Sequence, residues 1–159
     1  MYDKVIFLDI DGVLNSDAFR VAANQHAQEI GNLDPITHID TTRVLLVNDL
    51  LATSQAVICL STSWCGVFGF EKTVEMLTRS ALRTEAIVGQ TPKLYGPRFS
   101  SPPPPRGDEI KAWLKDNPTR SYVILDDNRP AGKGHPKRFV HVPDGLTKKH
   151  VSRAVQILT

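Results

Sequence analysis

Asp9 and Asp11 follow directly behind the apolar run Val5, Ile6, Phe7 and Leu8, and Gly12 comes next. A short apolar run with β-branched and aromatic character reads as a strand buried on both faces. Its carboxyl end therefore carries a spaced acid pair beside a glycine that lets the backbone turn or a ligand approach. Two carboxylates held together repel unless cations or fixed donors offset them. Mg²⁺ is the binder that fits, since a hard cation takes carboxylate and carbonyl oxygens and commonly shares its shell with a substrate phosphate. Two alternatives stay open on this stretch alone: an acidic turn capping a helix, and, less well matched, a calcium-binding loop, which would need a further acid or amide where Val13 stands.

Two later strand ends carry chemistry of their own. The run Ala56 to Leu60 ends in Ser61, Thr62, Ser63 and Trp64, placing hydroxyls where the first strand has acids. The run Tyr122 to Leu125 ends in Asp126, Asp127 and Asn128. Arg106 opens the helix that precedes this third strand. Acids, hydroxyls and one cation meet the needs of phosphoryl transfer: a nucleophile, a proton shuttle, donors to the phosphoryl oxygens and charge to offset the transition state. Taken singly, each group has a plain reading as a cap, a turn or a surface cation.

The elements that must position these residues alternate strand and helix. Asp40 caps a helix whose Val44, Leu45, Val47, Leu50 and Leu51 form an apolar face at helical spacing. A helix is expected from about Phe70 to Leu82, a short strand or loop over Glu85 to Gly89, and a helix over Asp108 to Lys115. A fourth strand follows at Phe139 to Val142, and Thr147 caps the last helix. This βαβα order predicts an α/β fold with a mainly parallel sheet sandwiched by helices. Residues 16–39, polar and alanine-rich, form an insertion leaving the acidic edge, expected as a small flap that offers Arg20 to a substrate. Residues 91–105 end in Pro102 to Pro105, a stiff connector rather than a domain linker, with a proline-binding partner as the alternative.

The chain of 159 residues suits one domain, residues 1–159, with 41% apolar and 23% charged residues ordinary for a globular protein. No apolar run reaches the ~20 residues of a membrane span and the start has no signal pattern, so a cytoplasmic location without membrane attachment is expected. Cys59 and Cys65 are expected as reduced thiols. A net charge of +2 says little about nucleic acid, but Arg129, Lys133, Lys137 and Arg138 crowd a loop directly after the third strand end. Such a loop suits a polyanion, with a merely solvating role as the alternative.

The stretch VIFLDIDGVL resembles the first motif of the haloacid dehalogenase (HAD) superfamily of phosphohydrolases. AVICLST resembles its second motif, Arg106 stands where its third-motif cation falls, and VILDDN resembles its fourth, in matching order and spacing. More narrowly, STSW, RGDEIKAWL and DGLTKKHV are similar to the small HAD domain of Swiss Army Knife RNA repair proteins. The likeness covers nearly the whole chain and is weakest between Asn15 and Ile39.

The resemblance implies a Rossmannoid three-layer sandwich and an Mg²⁺-dependent phosphomonoesterase working through an aspartyl phosphate. It makes Asp9 nucleophile and metal ligand, and Asp11 general acid and base with its carbonyl on the metal. Ser61 and Thr62 would hold the phosphoryl group and Arg106 would neutralise it. Asp127 would bind Mg²⁺ directly, with Asp126 acting through water or by positioning. Cys65 departs from the arginine common at that place; no thiol replaces a bidentate phosphate clamp, which leaves Arg20, Arg98 or Arg129 to compensate. The expected substrates are nucleotides or polynucleotide 3′-phosphate ends. Small phosphorylated metabolites, a receiver-like phospho-accepting module and an inactive phosphate-binding domain are the alternatives. The receiver fails on the order of its acids.

Overall fold

The computed structural model describes residues 1–32, 34–94 and 104–159. Its centre is a five-stranded sheet of β1 (Tyr2–Leu8), β2 (Val57–Leu60), β3 (Ile87–Gln90), β4 (Thr119–Asp126) and β5 (Phe139–His141), ordered β3-β2-β1-β4-β5. Every pairing is parallel. β1 lies in the middle, with Leu8 opposite Leu60 on one side and Leu125 on the other. Such a strand has no solvent face, which is why its side chains read as an unbroken apolar run.

Alternate residues of β1 supply two different cores. Ile6 and Leu8 join the larger one, with Val47 and Leu50 of α2 (Thr41–Ser54), Leu77 of α4 (Phe70–Arg79) and Leu158 of α6 (Lys148–Leu158). Val5 and Phe7 join the other, with Ile110 and Trp113 of α5 (Arg106–Asp116). There Phe7 meets Trp113 edge-on at 5.3 Å, and Tyr2 stacks on the same indole at 5.6 Å. Helix, sheet and helix thus form three layers, as the alternation of elements predicts.

Several expectations are sharpened. Residues 16–39 hold a full helix, α1 (Asp17–Ile30), capped by Ser16 and buried only at Ala27, followed by a 3-10 turn, Pro35–His38. With one buried residue it has no apolar stripe to announce it. The helix expected to reach Leu82 stops at Arg79, because Ala81 turns left-handed at φ 69° and carries Leu82 into the core from a turn. A separate short helix, α3 (Trp64–Phe68), precedes α4, and Gly69 at φ 87° supplies the break between them. Residues Glu85 to Gly89 do contain an edge strand, β3, entered through a 3-10 turn. Asp40 caps α2 through Thr42 N at 2.9 Å, and Thr147 forms a capping box with His150. Most of the proline-rich connector, with Arg98 and Pro102, falls outside the described residues. Among the described residues no helix is long and apolar enough to cross a membrane.

The basic loop after β4 is more structured than a free arm. His135 is buried, with ring nitrogens 2.8 Å from Tyr122 Oη and 3.0 Å from the Gly107 carbonyl oxygen. Arg138 donates to Ser121 Oγ at 2.9 Å and to the Ile157 carbonyl at 3.0 Å. A parallel β4-β5 connection must return toward the strands' beginnings. Arg138 is thereby drawn away from the acidic edge and becomes a structural cation.

Candidate active site

The chain lays β2 and β3 to one side of β1 and β4 and β5 to the other. In an open parallel sheet, ligands bind outside the carboxyl ends where the strand order reverses. Here that crevice lies between β1 and β4, whose next residues are Asp9 and Asp127.

Asp9, Asp126 and Asp127 each bring a carboxylate oxygen within 4.8 Å of the others. Asp9 is buried; its Oδ1 accepts from Ile10 N at 2.8 Å, and the neighbouring Thr62 side chain favours its ionised form. Asp126 is fully buried, with Oδ1 accepting from Asn128 N at 2.8 Å, while Oδ2 has no hydrogen-bond donor among the described residues. Arg106 enters from the first turn of α5. Its Nη1 lies 3.0 Å from Asp9 Oδ1 and 3.6 Å from Asp126 Oδ2, and it also donates to the Ser61 carbonyl.

One guanidinium does not offset this much buried acid. Burial pushes the Asp9 carboxyl up to about 6 against the pull of Arg106, and pushes Asp126 up to about 8, helped by the Asp9 charge. Asp127 is also raised, first by burial. A divalent cation removes that conflict. The residues fit one: every donor is a hard oxygen, Asp126 Oδ2 is buried without a donor, and backbone comes close to the cluster. At Gly12, with φ 74°, a Cβ would stand 2.5 Å from Asp127 Oδ2, so only glycine fits.

Asp11 faces elsewhere. Its Oδ2 accepts from Trp64 Nε1 at 2.9 Å, its Oδ1 lies 3.3 Å from Asn15 Nδ2, and Arg20 Nη1 of α1 stands 3.9 Å away. Asn15, fully buried, also accepts from Gly12 N at 2.7 Å and donates to the His38 carbonyl at 2.9 Å. Trp64 and Asn15 thus hold Asp11 from both sides. Ser61 is buried, and its Oγ has no partner among the described residues. Lys93, past the end of β3, donates to the Thr62 carbonyl at 3.0 Å and pairs with Glu109 of α5 at 3.7 Å.

The structure therefore brings Asp9, Asp126, Asp127, Arg106 and Thr62 into one cluster, with Asp11 and Arg20 on its flank. Arg129, Lys133 and Lys137 stand exposed along the loop that leaves it. Trp64, Asn15 and Lys93 carry roles that sequence reasoning did not assign, although Trp64 and Asn15 close the very stretches that drew notice. Cys65 is buried against the larger core, and burial raises its thiol, disfavouring the thiolate. Trp64→Phe keeps an aromatic side chain and removes the donor to Asp11. It should lower kcat about tenfold, ~1.4 kcal/mol, with little change in KM, while the smaller ring in the core lowers the melting temperature. An unaltered kcat would mean that the indole does not position Asp11.

No curated protein matches the chain. A family model described as the HAD domain in Swiss Army Knife RNA repair proteins matches residues 5–151, nearly everything described above. That match covers most of the chain, and with the parallel five-stranded sheet already described, the chain belongs to the HAD domains of the Swiss Army Knife RNA repair proteins.

Proposed function

We propose that this HAD domain is an Mg²⁺-dependent phosphomonoesterase that works through an aspartyl phosphate and acts on nucleotides or polynucleotide 3′-phosphate ends. The observation that supports it best is the division of the acids: Asp9 sits in the cation-holding cluster, and Asp11 is held outside it by Trp64 and Asn15. Nucleophile and proton carrier need that separation, because one must stay ionised while the other exchanges a proton.

A carboxylate oxygen of Asp9 attacks phosphorus, and the bond to the leaving oxygen breaks as Asp11 gives that oxygen a proton. A water molecule then attacks the aspartyl phosphate. Asp11 takes its proton, phosphate leaves, and Asp9 is restored. Ser61 Oγ and the Thr62 hydroxyl are donors to the transferring group, and Arg106 offsets its charge. Asp9, Asp127, Asp126 and the Asp11 carbonyl would hold Mg²⁺, which when bound supplies positive charge against the phosphoryl oxygens.

A panel tests this reading. A 3′-phosphorylated oligonucleotide, a 3′-mononucleotide and a sugar phosphate are each incubated with Mg²⁺ or with EDTA. Phosphate should be released from the first two in Mg²⁺ alone. Release from none, or equal release in EDTA, would remove the proposal. Arg106→Ala should slow turnover about a hundredfold without erasing it, ~2.7 kcal/mol for one electrostatic contact. A parental rate would take Arg106 out of the site.

A further inference from the structure

Beside Asp11 opens a cavity of about 430 Å³, walled by α1 on one side and α3 on the other. Arg20, Asn24, Trp64, Val67 and Phe68 line it with Asp11, whereas Arg106 does not. Its position gives it a role. If Asp11 protonates the leaving oxygen, whatever is attached to that oxygen projects toward Asp11, away from the cation-holding cluster.

The lining says what that group is. Val67 is 72% and Phe68 38% exposed, so apolar surface is held open to solvent at the rim of an otherwise charged crevice. Phe68 is braced edge-on by Trp64 at 5.4 Å, and the same indole is fixed by its bond to Asp11. An aromatic face held rigid at a cavity rim suits a planar ring. Polar groups stand opposite: Asn24, whose Oδ1 lies 2.6 Å from His38 Nε2, and Arg20, anchored on Asp17 over Asp11. A sugar or short polyol would use the polar wall and waste the apolar one. A nucleoside uses both, by its base and by its ribose.

We infer that this cavity is a leaving-group subsite for a single nucleoside, with the base against Phe68 and the ribose toward Arg20 and Asp11. The inference rests on the phosphomonoesterase reading for its substrate and on the cavity for its ligand. The nucleoside is the shared chemistry; it can arrive on a free mononucleotide or at a polynucleotide end.

The test compares kcat/KM for 3′-CMP, a 3′-phosphorylated oligonucleotide and β-glycerophosphate, which has no base, in the parent, Phe68→Ala and Phe68→Tyr. The parent should prefer the nucleotide substrates at least tenfold. Phe68→Ala should collapse that preference by about tenfold, mainly through KM, and Phe68→Tyr should restore it. A higher rate on the oligonucleotide than on 3′-CMP assigns the nucleoside to a chain end, and the reverse assigns it to a mononucleotide. A preference untouched by Phe68→Ala overturns the subsite while leaving the phosphatase intact. Turnover of none of the three in the parent overturns the phosphatase instead. The subsite then stands or falls on quenching of tryptophan fluorescence by cytidine, seen in the parent and lost in Phe68→Ala; no quenching in the parent overturns it.

Discussion

Asp9→Asn removes at least about a thousandfold of the Mg²⁺-dependent turnover of p-nitrophenyl phosphate, ~4 kcal/mol of transition-state stabilisation, while the protein stays folded. The amide is a poor nucleophile and cannot form the aspartyl phosphate, so the loss is chemical. The fold persists for reasons visible around the residue. An asparagine oxygen can still accept from Ile10 N, and Arg106 keeps Asp126 and the Ser61 carbonyl as partners, so no buried charge is stranded. The substitution also deletes a carboxylate whose ionised form burial disfavours. Melting temperature should therefore be equal to the parent's or higher. Turnover within tenfold of the parent would take the nucleophile's role from Asp9; inactivity with a collapsed melting temperature would show a structural role instead.

Without metal, the protein loses stability as pH rises, opposite to the behaviour of most paired carboxylates. Asp9 at about 6 and Asp126 at about 8 both titrate above the 3.8 of a free aspartate, so the folded chain binds more protons than the unfolded one. Their contribution is fully present below about pH 4 and is lost as pH climbs through 6 and then 8. In EDTA the melting temperature should fall by on the order of 10 °C between about pH 5 and about pH 8.5, since each unit of raised pKa is worth ~1.4 kcal/mol and each kcal/mol shifts a chain of this size by about 2–4 °C. Asp126→Asn should flatten that fall. Millimolar Mg²⁺ should restore the loss, and do so more at the alkaline end, because proton and cation compete for the same oxygens. Chelation should meanwhile abolish turnover. A melting curve blind to Mg²⁺ at about pH 8.5 would mean that the three carboxylates do not hold the ion.

What could be read from residue types alone followed burial and charge. β1 and β4 announce themselves because they are covered on both faces, and their terminal acids stand out as cost without compensation. Arg106 was legible as a lone cation at a helix start, although the helix begins with it rather than at Asp108. α1 was not legible, since a helix lying over a site with a single buried residue needs no apolar periodicity. Trp64's bond to Asp11 joins residues 53 positions apart, and Lys93 reaches Thr62 across 31; no local pattern encodes either. In the basic loop, the structural parts of His135 and Arg138 were not legible, because their partners Gly107, Tyr122 and Ile157 lie far off in the chain.

The central place of β1 has a consequence for how the protein is made. Its neighbours are β2 and β4, so Leu8 must wait for Leu125 before its second edge is covered. Contacts that distant close slowly, because the entropy of a large loop is lost before the pairing rewards it. On the ribosome, the run Val5 to Leu8 emerges well before β4 and stays half-paired until Leu125 has appeared. Synthesis must pass Asp127 before Asp9 can meet Asp126 and Asp127, so nascent fragments ending short of them carry a sticky, unsheltered ribbon and no chemistry.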